Sequence, residues 1–372
     1  MKKGDKTFSK GTRTGFTTGA CSAAAARAAT LGLIRGELPR SVETTLPNGQ
    51  QVLFPVAAGK IEDNLAIAVV IKDAGDDPDV THGAHLTAQV RWLPSHPHQI
   101  VLLGGAGVGR VTRPGVGLPV GEAAINPIPQ QNIIDNVRYV AQDLLVKTGL
   151  EVTISVPDGE IMAKKTLNGR LGIVNGISIL GTGGVVHPYS TSAYKASVRQ
   201  AVEAAAALQV SPVVFTTGRR TERFAMSQMV DLPDYAFIQM GDFFGAAMKS
   251  AGQARIPHVI VAAMVGKLAK IGQGMENTHA HKNSLDMQRV AQLAAQAGAN
   301  KNSCRLIAQG VTVRHAADHL AEQGLESPFY QLLAQEAIES MQSRLPAECR
   351  ATVLAFDFAG KLLARVEGKS HG

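Results

Sequence analysis

Cysteine, tryptophan and tyrosine are scarce in this chain of 372 residues, with 3, 1 and 5 copies respectively. The cysteines Cys21, Cys304 and Cys349 are too far apart to form a CxxC metal pair, and their odd number does not suggest a disulfide framework, which favours a reducing compartment. Few aromatic residues and no Lys/Arg-rich block argue against nucleic-acid binding. The longest strongly apolar run, Val259 to Val265, is too short to span a bilayer, and residues 1–10 lack the apolar segment of a secretory signal. We therefore predict a cytoplasmic protein that binds neither nucleic acid nor a membrane.

The composition is that of a globular enzyme with a basic surface. Hydrophobic residues make up 45% of the chain and charged residues 18%. The length exceeds what one hydrophobic core usually needs and predicts two domains. The net charge of +7 serves solubility, but it would also suit a small molecule that carries many carboxylates.

The order of predicted elements indicates an α+β domain over residues 1–165 and a Rossmann-like α/β domain over residues 166–372. Thr17 or Thr18 caps an Ala-rich helix over Cys21–Leu33, and several strand-like runs follow. From about Leu171, short strands alternate with helices, which is typical of right-handed crossovers in a parallel sheet. Helices and a hairpin end the chain. The predicted strands of the parallel sheet are Ile177–Leu180, Val213–Thr216, Ala236–Met240 and Val259–Val265.

Small or polar residues follow each of these four strands. Because ligands bind at the carboxyl ends of parallel strands, the pattern predicts a nucleotide-like or tetrapyrrole site along one sheet edge. The residues concerned are Gly181, Thr182, Gly183 and Gly184, then Thr217, Gly218, Arg219 and Arg220, then Gly241 and Asp242, and finally Gly266 and Lys267.

The chemistry of these strand ends leaves alternatives open. Gly181–Gly184 is predicted to precede a helix, whose amides and dipole would receive an anion or approach a ribose. Arg219 and Arg220 would suit either an NADP 2′-phosphate or substrate carboxylates. Asp242 would hold a ribose diol, balance a sulfonium or merely cap the next helix.

Two loops outside the predicted sheet carry charged residues. Gly104–Gly109 resembles a dinucleotide fingerprint, but the Pro-containing segment after it cannot begin the helix that the fingerprint requires. With Arg110 and Arg113 beside it, we interpret this segment as a carboxylate-binding loop. Lys72–Asp79 is an acidic turn without the ligand spacing of a calcium loop, and we interpret it as a surface turn.

Two histidines, His279 and His281, lie in a polar loop after Gly272 and Gly274. Because residues two apart in such a loop point in different directions, we favour a substrate-contacting or proton-handling role for His279 over metal binding. No resident metal site is predicted.

Taken together, these motifs resemble the cobalt-precorrin-5B C1-methyltransferases of anaerobic cobalamin biosynthesis, in order, over roughly residues 13 to 283. Gln130, Gln131 and the single Thr182 depart from the family pattern. The matching blocks are Arg13–Cys21, Lys72–Thr81, Gly107–Gly115, Ala124–Pro127, Asn168–Ile173, Gly176–Gly184, Thr216–Arg220, Met240–Phe243, Gly266–Lys270 and Thr278–His279.

The resemblance implies methyl transfer from S-adenosylmethionine to ring carbon 1 of cobalt-precorrin-5B, giving cobalt-precorrin-6A. With it, we expect the donor and the acceptor to lie in a cleft between the domains, with Asp242 or His279 handling a proton. An NADP-dependent reductase and a non-enzymatic tetrapyrrole carrier are the alternatives, and a homo-oligomer is compatible with the sequence. The expected donor residues are Gly181, Thr182, Gly183, Gly184, Thr217, Gly218, Gly241 and Asp242, and the expected acceptor residues are Arg110, Arg113, Arg219, Arg220 and Lys267.

Overall fold

The computed structural model describes residues 11–279 and 284–368, so the segment examined for a secretory signal and His281 lie outside the described residues. The chain divides into two compact units, one ending at Ser190 and the other beginning at Thr191. Both mix helices with strands, and the strands form several sheets. Among the described helices, none combines the length and the apolar character that a bilayer crossing requires.

The first unit has an Ala-rich helix packed on an antiparallel sheet. Its helices are α1 (Thr18–Arg35), α2 (Pro127–Leu145) and α3 (Gly159–Ala163). Its strands are β1 (Gly15–Phe16), β2 (Ser41–Thr45), β3 (Gln51–Pro55), β4 (Ala58–Glu62), β5 (Leu65–Ile71), β6 (His85–Leu93), β7 (Ile100–Gly104), β8 (Gly107–Val108), β9 (Arg110–Val111), β10 (Gly149–Ser155), β11 (Ile173–Val174), β12 (Gly176–Ile177) and β13 (Val185–Val186).

The largest sheet of this unit has the strand order β4-β5-β6-β10-β7 and is antiparallel except between β10 and β7. Alternate residues of β5 are buried, as expected for a strand with one face on the core. The alanines of α1 are fully buried against this face, because their small side chains allow the helix to approach the sheet closely. Thr17 caps α1 as predicted, since its hydroxyl accepts a hydrogen bond from the Ala20 amide.

Residues 166–190 belong to the first unit, which places the division after Ser190 rather than after residue 165. The reason is strand pairing: β11 pairs with β9, β12 with β8, and β13 with β1. The predicted strand Ile177–Leu180 is therefore wrong as a member of the C-terminal sheet. Only Gly176–Ile177 forms a strand there, and its partner lies in the first unit.

The second unit is built around one five-stranded sheet. Its strands are β14 (Val213–Thr216), β15 (Phe237–Gln239), β16 (His258–Met264), β17 (Arg350–Phe356) and β18 (Leu362–Glu367). Its helices are α4 (Thr191–Ala207), α5 (Arg219–Gln228), α6 (Phe244–Gln253), α7 (Val265–Gly272), α8 (Met287–Gln296), α9 (Lys301–Ala308), α10 (Val313–Ala321) and α11 (Glu326–Gln342), with a short 3-10 helix at Asp234–Ala236.

The strand order of this sheet is β15-β14-β16-β17-β18, parallel except for the hairpin between β17 and β18. Successive residues of β14 point to opposite faces. Val214 belongs to a small core cluster with Ala225 of α5, whereas Phe215 belongs to the large core cluster to which α4, α6 and the helices from α7 to α11 also contribute. The predicted parallel strands after residue 210 and the terminal hairpin are confirmed.

Candidate functional site at the switch point of the second sheet

The chain reverses its direction across the sheet at β14. It runs from β14 through α5 to β15 on one side, and then through α6 to β16 on the other side. Such a reversal leaves a crevice outside the carboxyl ends of the two strands that flank it. A cavity of about 850 Å³ lies there, within the usual range for ligand pockets. Its lining residues are Thr217, Gly218, Arg219, Arg220, Thr221, Met264, Gly266, Lys267, Lys270, Thr278, Ser284, Leu285, Met287, Gly310, Val311, Thr312, Val313 and Phe358.

The turn after β14 brings backbone to the edge of this cavity. Gly218 has φ 150° and ψ 176°, a conformation that side chains other than hydrogen rarely allow. A Cβ atom at Gly218 would meet no atom within 4 Å, so the backbone conformation and not crowding requires glycine. The Thr221 hydroxyl donates to the Gly218 carbonyl at 2.9 Å and closes the first turn of α5.

Four cationic side chains, and no aspartate or glutamate, are among the described residues that line the cavity. Arg219 and Arg220 open α5, and neither forms an ion pair with any residue in the described part of the chain. Lys270 Nζ donates to the carbonyls of Thr278 and His279, both at 3.3 Å. Because three of these four positive charges, on Arg219, Arg220 and Lys270, form no ion pair within the described part of the chain, the cavity favours anions.

Asp242 follows β15, and its carboxylate belongs to a network of hydrogen bonds that links the segments after β14, β15 and β16. Lys267 Nζ is 3.0 Å from Asp242 Oδ1 and donates to the Thr217 carbonyl at 3.2 Å. The Thr278 hydroxyl also donates to Asp242 Oδ1, at 3.0 Å. Burial alone would raise the pKa of Asp242, but Lys267, Thr278 and the charge of His279 together hold that pKa below its ordinary value. The carboxylate is therefore ionised at neutral pH.

Glycine is required at position 241, immediately before Asp242, by the backbone conformation and by a close neighbour. Its φ is 58°, and a Cβ atom would come within 2.9 Å of the Tyr194 hydroxyl. That hydroxyl donates to the Gln239 carbonyl at 3.1 Å.

One wall of the cavity is apolar and comes from residues that the sequence patterns did not indicate. Phe358 in the β17–β18 turn is 58% exposed, and Val311 before α10 is 84% exposed. Met264, Leu285, Met287 and Val313 complete this wall. The phenylalanine at position 358, inside the turn of the predicted terminal hairpin, is the sequence signal that would have suggested this apolar wall. The cavity thus combines positive charge with an apolar surface, which suits a large anionic ligand with an apolar body.

Comparison with known proteins identifies the family. The CbiD family model matches residues 5–188, and the model of the CbiD C-terminal domain matches residues 277–367. A protein from Dechloromonas aromatica (strain RCB) is 55% identical over 98% of this chain and 94% of its own length. The chain belongs to the CbiD family. The Dechloromonas protein is named cobalt-precorrin-5B C(1)-methyltransferase.

Other CbiD relatives cover the chain as completely. A protein with the same name from Methylococcus capsulatus is 53% identical over 96% of this chain and 94% of its own length. One from Leptospira borgpetersenii is 44% identical over 96% of both chains. A crystal structure of the cobalamin biosynthesis protein CbiD from Archaeoglobus fulgidus is 30% identical, covers 70% of this chain and 79% of its own, and has a TM-score of 0.38.

The segments Arg13–Cys21 and Gly176–Gly184 are distant in the sequence but contact each other in the first unit. This contact corrects the prediction for Gly181–Gly184. The prediction that Gly181–Gly184 lies on the edge of the C-terminal sheet, before a helix, is wrong. The loop leads into β13, and Leu180 and Gly184 accept hydrogen bonds from the amides of Gly19 and Thr17 at 3.1 and 2.9 Å. Of the four predicted strand ends, those of β14, β15 and β16 share one edge, together with the end of β17.

The glycines of this loop are explained by the contact with α1. Gly181 has φ 129°, and a Cβ atom there would lie 2.5 Å from the Thr17 side chain. Gly184 has φ 83° and lies against Leu46 and Pro47. Thr182 and Gly183 lie between them, and a Cβ atom at Gly183 would come no closer than 4.0 Å to Asn48. Because the Leu180 carbonyl and the Thr17 hydroxyl already accept amides of α1, the first turn of α1 is closed by protein groups.

Arg110 and Arg113 also lie in the first unit. The Arg110 guanidinium donates to the Gly121 carbonyl. The Arg113 side chain packs over Gly172, where a Cβ atom would be 2.6 Å from it. The Gly-rich segment before them continues into β8 and β9 rather than a helix, which confirms that it is no dinucleotide fingerprint.

The acidic turn Lys72–Asp79 is held by its own hydrogen bonds. Lys72 is 1% exposed, and its Nζ is 2.7 Å from Asp79 Oδ2. Arg13 forms ion pairs with Asp73 and Asp76. The turn therefore joins the first two CbiD motif blocks, and its carboxylates are engaged by protein groups.

His279 follows Thr278 but is not among the residues that line the cavity. Its amide donates to Asn277 Oδ1 at 2.9 Å, and its carbonyl accepts a hydrogen bond from Lys270. The structure thus brings together Thr217, Gly218, Arg219, Arg220, Gly241, Asp242 and Lys267, with His279 near them.

Proposed function

We propose that this chain transfers a methyl group from S-adenosylmethionine to ring carbon 1 of cobalt-precorrin-5B, as the names of its CbiD relatives indicate for the acceptor and the position. The second unit would act as a Rossmann-like domain, a proposal supported by its parallel strands and their reversal at β14. The observation that carries the site assignment is the switch-point cavity, whose described lining has four cations, an apolar wall and no carboxylate.

The acceptor is a macrocycle with several acetate and propionate arms, so its binding requires both cations and apolar surface. Arg219 and Arg220 lack ionic partners in the described chain and present planar donor forks that match carboxylates. Lys270 adds a third positive charge on the same cavity. Phe358 and Val311 offer apolar surface to the ring.

The donor is assigned to the strand ends around Asp242. A sulfonium is cationic, so a cavity of uncompensated cations would repel it. Asp242 remains ionised and offsets the charge of Lys267, which makes this corner the least positive part of the site. The open backbone at Gly218 and Gly266, where a Cβ atom would meet nothing within 4 Å, allows close approach of a ribose or an adenine.

The reaction does not require the protein to form a covalent bond with either reactant. The acceptor carbon forms a bond to the methyl group as the bond from methyl to sulfur breaks. The sulfur keeps the bonding pair, so the donor leaves as the neutral thioether S-adenosylhomocysteine. Alignment of the two reactants is the main contribution, and such alignment supplies roughly 7–11 kcal/mol in favourable cases.

Methyl transfer from labelled S-adenosylmethionine to cobalt-precorrin-5B tests the activity. Arg219→Gln and Arg220→Gln are each expected to raise the KM for the acceptor at least about tenfold, because a charged hydrogen bond contributes about 1.5–3 kcal/mol. The KM for the donor should be unchanged. Arg223→Gln is the matched control, since Arg223 lies on the same helix but is exposed and does not line the cavity.

Label that remains on the donor would contradict the proposed activity. Equal acceptor KM values for the two variants and the control would contradict the site assignment. Equilibrium binding separates the reductase alternative, because binding of NADPH without binding of S-adenosylmethionine would favour that enzyme.

A further inference from the structure

A second cavity, of about 450 Å³, lies within the first unit between α1, α2 and the turn after β2. None of its residues belongs to the site described above. They are Arg27, Thr45, Leu46, Pro47, Ile128, Gln131, Asn132, Asp135, Asn136 and Tyr139.

Arg27 on α1 is a buried cation without an acidic partner. The residue is 8% exposed, and within the described chain it forms no ion pair. Its Nη1 donates to Asn136 Oδ1 at 3.2 Å, whereas its buried Nε has no hydrogen-bond partner. Its guanidinium lies 4.6 Å from the centre of the Tyr139 ring. A buried charge held only by a neutral amide and a ring is poorly compensated, and an anion would correct this.

The amides beside Arg27 are rigidly held. Asn136 Nδ2 donates to the Thr45 and Asn132 carbonyls, both at 2.9 Å, and its Oδ1 accepts from the Thr45 amide at 3.1 Å. Asn132 Nδ2 donates to the Thr45 carbonyl at 2.8 Å, but its buried Oδ1 has no hydrogen-bond partner. Among the described residues that line this cavity, Arg27 therefore has an unpartnered donor and Asn132 an unpartnered acceptor, and an anion would compensate only Arg27.

Neighbouring acids do not neutralise Arg27. Asp135 lines the cavity, but it accepts a hydrogen bond from Gln131 and lies 3.9 Å from Arg138. Glu43, which is exposed, influences Arg27 only by its charge and forms no ion pair with it in the described chain. Burial lowers the pKa of Arg27 despite that charge.

We propose that this pocket binds the carboxylate of a ligand whose body is flat and apolar. Arg27 supplies the counter-charge, and Leu46, Pro47, Ile128 and Tyr139 supply the apolar walls. The same chemistry occurs in a side arm of a tetrapyrrole and in a free aromatic acid. The proposal does not depend on the methyl-transfer function, because it concerns binding in the absence of a donor.

The test is calorimetric titration of the full chain with benzoate and with benzamide, its neutral isostere. Benzoate is expected to bind saturably to the unaltered chain, and benzamide at least tenfold more weakly. Arg27→Met should weaken benzoate binding at least tenfold. Arg35→Met, a change at an exposed residue in the last turn of the same helix, should leave it unchanged. The titrations are repeated in the double variant Arg219→Gln/Arg220→Gln, which removes the carboxylate-binding arginines of the other cavity. The benzoate binding that Arg27→Met weakens should persist in this variant, and its loss there would assign the binding to the other cavity and overturn the proposal.

A second variant guards against misfolding of Arg27→Met. Ile128→Asp places a carboxylate on the pocket wall at a residue that is 44% exposed, so the fold should be kept while benzoate binding again falls at least tenfold. Uroporphyrin III in a parallel titration separates the two sources of the carboxylate. If it competes with benzoate, the tetrapyrrole arm is the occupant, and if it does not, a free acid is. Equal benzoate affinity in Arg27→Met and the unaltered chain, equal affinity for benzamide, or no saturable binding of either acid overturns the proposal.

Discussion

Asp79→Asn is expected to destabilise the first unit by about 4 kcal/mol at pH 7. Lys72 is 1% exposed, and its Nζ lies 2.7 Å from Asp79 Oδ2. Asparagine keeps an oxygen that can accept from the Thr81 amide and hydroxyl, which now donate to Asp79 Oδ1 at 2.7 Å each. The substitution therefore removes the charge partner of a buried cation with little change of shape. Loss of one member of a buried pair costs about 3–5 kcal/mol.

Urea unfolding followed by the fluorescence of Trp92 measures this effect, because the single tryptophan lies on β6 in the first unit. Lys72→Met/Asp79→Asn should recover most of the lost stability, since it leaves no buried charge. Asp63→Asn, at an exposed residue in the turn between β4 and β5, is the control. A loss below about 1 kcal/mol would refute the reasoning.

The Lys72–Asp79 pair of the unaltered chain also makes the stability of the first unit depend on pH in the acid range. Burial raises the pKa of Asp79, but Lys72 and Thr81 outweigh it and hold the pKa below the ordinary value. A depressed carboxyl pKa contributes stability above the unfolded pKa, and this stability is lost as the pH falls through the folded pKa. Asp79→Asn should remove this part of the acid sensitivity.

Three further outcomes are expected. Gly181→Ala should destabilise the chain by at least about 1 kcal/mol in urea unfolding, because its φ of 129° and the contact with the cap of α1 exclude a Cβ atom. Lys267→Met should raise the pKa of Asp242, which Lys267 now lowers, and should move the acid limb of kcat/KM to higher pH; an unmoved limb would exclude a catalytic need for that carboxylate. Burial raises the pKa of Cys21 to about 12, so iodoacetamide at pH 8 should label Cys304 first, and early labelling of Cys21 would contradict its burial.

The sequence predicted the elements whose signals are local. The hairpin Arg350–Phe356 and its partner strand, the strand Val213–Thr216 and the cap at Thr17 depend on alternation, apolar runs or capping residues, and all are present. The clustering of Thr217, Asp242 and Lys267 was also predictable, because carboxyl ends of adjacent parallel strands share one edge.

The misplaced elements depend on contacts between distant residues. Nothing near Gly181–Gly184 indicates that its partner is a helix end 162 residues earlier. The apolar wall at Val311 and Phe358 joins segments that only the tertiary fold brings together. Arg27 was missed because the alanines around it indicate packing, and the absence of an acidic partner is visible only in three dimensions.

The contact between the loop at Gly181–Gly184 and α1 also determines the order in which the first unit can be completed. In a nascent chain, the amides of Thr17 and Gly19 at the start of α1 lack their carbonyl acceptors until Leu180 and Gly184 have left the ribosome. Closing so long a loop costs entropy that only the finished contact offsets. A recombinant fragment cut at residue 165 would lack β11, β12 and β13, whereas one that extends to Ser190 would carry every strand partner of this unit.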